Sequence, residues 1–262
     1  MILHSTRFYL ITFKTELKRF ATYRMNIFAG LTSGLVMLLA RIALWAALFT
    51  HDTQQTATFQ EVITFFIVSD TLLVWIAAYY SNSIGPDVRT GDLTHRLIRP
   101  LSYHLQLVTT AHAKALITTL TKTIPVVSVI NLFLTIYLPA SWMFFLFFIL
   151  SAVLGGIIYT LIDLIIGYTV FWLTESWYVP WFKRALFVLF GGLAVPVWLQ
   201  NVSRWLPFQY TIFIPLDIYL GRVSMENLWW LIGIQLFWGC LLLAVERFVW
   251  KKSQRRLMIQ GG

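Results

Sequence analysis

The feature that most restricts this chain is a set of apolar runs too long and too continuous for a water-soluble core. From Trp142 to Leu150 every residue is apolar. A helix that crosses the hydrocarbon core of a bilayer needs about 20 mostly apolar residues. Six runs meet that length: 26–50, 60–80, 113–137, 141–171, 184–201 and 228–249. Barrel strands alternate apolar and polar residues, and these runs do not. Inside a membrane only helices or closed barrels satisfy the backbone, so helices are expected. The predicted fold is all-α: one membrane domain over 1–262 with six transmembrane helices.

Composition agrees. Of 262 residues, 58% are hydrophobic and 12% charged. Soluble domains are about half apolar and about a quarter charged. A soluble fold of this composition would expose large apolar patches and aggregate. The formal net charge is +9. Most cations lie between apolar runs, which points to anionic lipid and away from nucleic acid. Cys240 lies inside the last run and is read as an inert buried thiol.

Lys and Arg in the connections set the expected orientation. Arg7, Lys14, Lys18, Arg19 and Arg24 precede the first run, an arrangement unlike a cleaved signal peptide. Residues 51–59 and the third connection carry none. Arg89, Arg96 and Arg99 lie in 81–112, Lys183 and Arg184 after the fourth run, and Lys251, Lys252, Arg255 and Arg256 in the tail. The long fifth connection has only Arg204 and Arg222. Both termini are therefore expected in the cytoplasm of a multi-pass inner (plasma) membrane protein, with 81–112 cytoplasmic and 202–227 extracellular. Residues 1–24 place Tyr9, Leu10, Phe13, Leu17 and Phe20 on one side of a helix and Arg7, Lys14 and Lys18 on the other. That pattern predicts an interfacial amphipathic helix. Pro196, Pro207 and Pro215 interrupt the apolar fifth connection, which predicts short broken helices dipping into the outer leaflet.

Soluble-enzyme chemistry has no signature here. There is no GxxxxGK[ST] phosphate loop, no HExxH, no G-x-S-x-G elbow and no metal spacing among the five histidines. Charges inside the runs stand out, because an ionised side chain at the bilayer centre costs about 2.5–3.5 kcal/mol. Arg41 and Asp70 fall at similar depth on spans adjacent in sequence. They form an ion pair, or snorkel independently, or make a substrate or proton site. Asp163, near the end of the fourth span, reaches the interface, and Lys114 and Lys122 snorkel from the third.

Residues 81–100 form the most informative connection. Gly91 offers a turn, Asp92 a helix N-cap, and Pro100 a stop. Leu93 and Leu97 share a face one turn apart, beside Arg96 and Arg99. The expected element is a short amphipathic helix whose Leu ridge seats in a cleft of a soluble partner. The competing reading is a basic loop lying on anionic lipid.

This segment resembles a known family. Val88-Arg89-Thr90-Gly91-Asp92-Leu93 and Leu97-Ile98-Arg99-Pro100-Leu101-Ser102 are similar to the loop after span two in small six-span ABC exporter permeases of the type-two class. Phe171-Trp172, Leu206-Pro207-Phe208 and Gln260-Gly261-Gly262 extend the likeness along the chain, while Thr94-His95-Arg96 is more basic than that family's pattern. The resemblance implies a permease subunit that exports a hydrophobic or amphipathic substrate. It implies a dimer with a second permease, identical or homologous, above two copies of an ATP-binding cassette subunit. ATP and Mg belong to that partner, and this chain carries no cofactor. Asp87, Arg89, Gly91, Asp92, Leu93, Arg96, Leu97, Arg99 and Pro100 become the ATPase-coupling element. A functional alternative is an ion-coupled secondary transporter, with Asp70 or Asp163 as its coupling carboxylate.

Overall fold

A computed structural model describes residues 24–51, 58–76, 80–98, 102–173, 177–191 and 197–260, with a few positions between 10 and 18. Every regular element among them is helical. In chain order they are α1 (Arg24–His51), α2 (Phe59–Ile76), α3 (Ser81–Arg89), α4 (Asp92–Leu97), α5 (Tyr103–Thr118) and α6 (Ile124–Asn131). Then follow α7 (Trp142–Tyr168), α8 (Tyr178–Phe190), α9 (Val197–Ser203), α10 (Phe213–Tyr219) and α11 (Met225–Gln260). A π-helical turn, Thr119–Thr123, joins α5 to α6.

Five helical stretches are long and apolar enough to cross a membrane: Phe28–Ala47, Phe59–Arg89, Tyr103–Asn131, Trp142–Phe171 and Met225–Arg256. Hydropathy placed the third span at 113–137, whereas its helix begins at Tyr103. His104, Gln106, Thr109 and Thr110 make 103–112 look like a loop. The Thr109 hydroxyl donates to the Leu105 carbonyl, and further along Thr118, Thr119 and Thr121 each donate to the carbonyl four residues back. Hydroxyls satisfied within their own helix let a polar sequence stay helical. The run expected at 184–201 falls on two short helices. α8 starts earlier, at Tyr178, and stops at Phe190 before α9 resumes at Val197. Most of the expected amphipathic helix over 1–24 lies outside the described residues.

α7 is the central post. Ser141 caps it: its extended backbone lets the hydroxyl accept from the Phe144 N–H at 3.4 Å. The fifth long helix, α11, runs back along α7. Phe147 meets Trp229 near one end, and Tyr168 meets Trp250 near the other. Between them the buried Gln235 amide donates to the carbonyls of Ser151 and Tyr210. The segment 178–219 climbs the same post in steps. Tyr178 touches Thr169, Phe187 stacks near Tyr159, Phe208 meets Phe187, and Tyr219 meets Phe148. α10 packs Ile214 and Ile218 into the α7–α11 core. On the other flank, Leu38 of α1, Ile63 and Ile67 of α2 and Val126 and Ile130 of α6 form a second core.

Candidate functional site

Polar residues gather at the end of the bundle where α2–α3, α5, α7 and α11 converge. α3 continues the line of the second span, and Gly91 turns the chain with φ of 77°. A side chain there would be strained, since left-handed backbone disfavours a Cβ. Gly91 is the N-cap of α4, and Asp92 is its first helical residue, which corrects the expected cap. Asp92 instead accepts a 2.9 Å bond from the Thr90 hydroxyl. Asp87 is buried. It accepts from the Tyr103 hydroxyl at 2.9 Å and pairs with Arg96 at 3.2 Å. The carboxylate thereby ties α3 to both α4 and α5.

The Leu ridge does not face outward. Leu93 is 1% exposed and sits among Ile84, Tyr103, Leu107 and Tyr168, with Leu97 partly buried beside it. Burial of one large aliphatic side chain is worth about 1.5–3 kcal/mol, and the chain's own helices supply the cleft. The outer surface of the hairpin is instead Arg89, Thr90, Gly91, Asp92, Thr94, His95 and Ile98, the last 78% exposed. Arg99 and Pro100 lie outside the described residues.

Asp163 does not reach the interface. It is 0% exposed, and Lys183 of α8, 3% exposed, donates to its Oδ1 at 2.6 Å. The Ser81 hydroxyl donates to the same oxygen at 2.6 Å and the Ser81 N–H to Oδ2 at 3.1 Å. A buried charge pair persists only when its remaining valences are also met, and Ser81 meets them here. Close approach makes this possible: a Cβ on Gly167 would lie 3.0 Å from the Ser81 Cα. One turn further along, Glu246 of α11 accepts from the Tyr168 hydroxyl at 2.9 Å and pairs with His104 at 3.1 Å. His104 also contacts the Tyr168 hydroxyl, and Trp250 stacks on Tyr103 at 5.9 Å. Lys183, His104, Tyr168 and Glu246 were absent from the sequence-derived set. No local motif marks them, since their partners lie 20 to 142 residues away.

In the other core, Arg41 and Asp70 meet. The Arg41 Nη1 donates to both carboxylate oxygens at 2.9 and 2.8 Å, and the guanidinium lies 5.6 Å from the Phe66 ring. Among the described residues no group of His, Cys, Asp or Glu could hold a metal ion.

A helical membrane bundle with a structured connection welded to its helix ends is the setting for the comparison with known proteins. Residues 35–261 match the ABC-2 family transporter protein family. The chain belongs to the ABC-2 transporter family. No curated protein and no solved structure matches it. Membership makes this multi-pass protein the permease subunit of an ABC transporter, in a family that works with an ATP-binding partner.

Proposed function

We propose that this ABC-2 permease exports an amphipathic or hydrophobic substrate, driven by ATP hydrolysis on a separate subunit that docks on the 80–98 hairpin. The observation that carries this is the two-sided character of α3–α4. Its inner side, through Leu93, Ile84 and the Asp87–Tyr103–Arg96 contacts, is packed against the helix ends. Its outer side is bare, with exposed Ile98 and His95 beside Arg89 and Asp92. A push on that outer side is passed through those contacts, and through Ser81 on Asp163, to α5 and α7. ATP biases the permease between states by binding the ATPase, which in turn fits one state better. In this reading two ATPase copies lie beneath two permeases, identical or homologous, in the inner (plasma) membrane.

In the same reading the chain crosses six times: five crossings are the long apolar helices, and one more, fifth in chain order, is built from α8, α9 and α10. Its stepwise contacts along α7, from Thr169 to Phe148, follow a path from one end of the bundle to the other. Six crossings put both termini and the 80–98 hairpin on one side, the side of the ATPase.

The test is copurification in mild detergent with the coexpressed ATPase. Ile98→Asp with His95→Asp should reduce ATPase recovery by about tenfold or more, the range of a lost interface anchor. Permease yield should hold, because both side chains are exposed. Normal recovery of a catalytically stimulated ATPase with this variant would remove the hairpin as the docking element.

A further inference from the structure

Arg41, Asp70 and Lys122 come from three helical segments to one cavity. Arg41 is ten residues before the end of α1 at His51, Asp70 eleven after the start of α2 at Phe59, and Lys122 nine before Asn131. At 1.5 Å per residue each is about 13–17 Å from its helix end. Together they line a cavity of about 320 Å³ between α1, α2 and the π-turn. Its walls are otherwise mostly apolar, including Leu38 and Val126, with the hydroxyl residues Ser33, Thr71 and Thr123 among them, and the exposed Met37 forms part of its rim.

The charges in that cavity do not cancel. Arg41 is neutralised by Asp70. Among the described residues no carboxylate pairs with Lys122. Its stem lies across Gly34 of α1, where a Cβ would be 2.6 Å from Cε and 3.6 Å from Nζ. Two features hold it there. Gly34 leaves the space, and the π-turn Thr119–Thr123, followed by Pro125, widens the helix at Lys122. Pro125 has no N–H to offer the preceding turn, so one backbone bond is missing where the π-turn passes into α6. Such single π-turns inside α-helices are frequent at functional sites.

We propose that this cavity binds the anionic headgroup of an amphiphile, a phosphate or carboxylate carried on an acyl chain. Lys122 supplies the counter-charge, and the apolar walls and open rim receive the first part of the chain. An anion there turns a costly lone cation into a pair. That the amphiphile is transport cargo rests on the exporter reading above; its binding does not, and is measured without the ATPase.

The test is native mass spectrometry of the purified permease in a neutral detergent, with three probes added separately: dodecyl phosphate, phosphatidylglycerol and inorganic phosphate. Phosphatidylcholine, zwitterionic with no net charge, is the reference. Wild type should retain one or both anionic amphiphiles about fivefold better than phosphatidylcholine, the scale set by one cation near a lipid headgroup. Retention of dodecyl phosphate alone identifies a single-chain amphiphile as the ligand, and of phosphatidylglycerol alone a bilayer lipid. Lys122→Gln should abolish the preference and Lys122→Arg should keep it, which separates charge from folding. Lys114→Gln, an exposed lysine on the same span outside the cavity, should leave it unchanged. An equal preference in Lys122→Gln overturns the site, as does the absence of any preference in wild type. Displacement of the amphiphiles by inorganic phosphate at equal concentration overturns the amphiphile assignment.

Discussion

Asp163 and Lys183 show how one residue pair can couple three helices. Both are essentially fully buried, and Ser81 completes the carboxylate's hydrogen bonds from α3. Removing one partner leaves the other charge in a poor solvent, a loss of about 3–5 kcal/mol in buried cases. Asp163→Leu is therefore expected to lower the thermal midpoint of the detergent-purified permease strongly, and Lys183→Met similarly. The apolar double variant, Asp163→Leu with Lys183→Met, should recover most of the loss, because no unpaired charge remains. Strictly additive losses in that cycle would mean the two side chains do not act as a pair. Arg41 and Asp70 illustrate the contrasting case: their equal depth on neighbouring spans could be counted from the chain, and the structure brings them together.

At the scale of elements, the turn after α10 is tied to the start of α2. Arg222 lies 3.7 Å from Asp217 and also reaches Glu61 at 3.4 Å. Arg222 is more than a third exposed, and pairs of that kind are worth about 0–1 kcal/mol each. Arg222→Ala is therefore expected to lower the thermal midpoint of the purified permease by a few degrees at most. A loss as large as that from removing Asp163 would show that this contact holds the bundle as strongly as the buried pair does. The hairpin α3–α4 was legible as an element, from Gly91, the Leu spacing and the neighbouring cations. Its facing was not. An amphipathic helix announces that one face is covered, without saying whether its own chain or a partner covers it.

For the whole molecule, the testable quantity is the number of crossings. Ala140 and Gly221 are neighbours, since a Cβ on Gly221 would lie 3.6 Å from the Ala140 Cβ. The connections before α7 and before α11 therefore share one end of the bundle. The 80–98 hairpin and the Glu246–Tyr168 contact share the other. In a Cys240→Ser background, cysteines at Ala140 and Ser224 should react with an impermeant reagent in intact cells. Cysteines at Thr94 and Gln254 should react only after permeabilisation. Reaction at Gln254 in intact cells, or opposite behaviour at Ala140 and Ser224, would break the six-crossing arrangement.

Apolar runs of bilayer length, too few charges for a soluble shell and the clustering of Lys and Arg determined a helical membrane protein before any tertiary information. Those signals are local and additive, so they survive without knowledge of neighbours. The order of short motifs from Val88 to Leu206-Pro207-Phe208 was similarly readable as an ABC permease, and the family match over 35–261 bears that out. Tertiary structure decided the rest. It turned Leu93 inward, buried Asp163 against Lys183, joined Glu246 to Tyr168 and His104, and laid Lys122 across Gly34. Hydropathy weighs each of these side chains by the cost of meeting lipid. Which cost is met depends on the partner that packing brings within about 3 Å, and that partner sits on another helix.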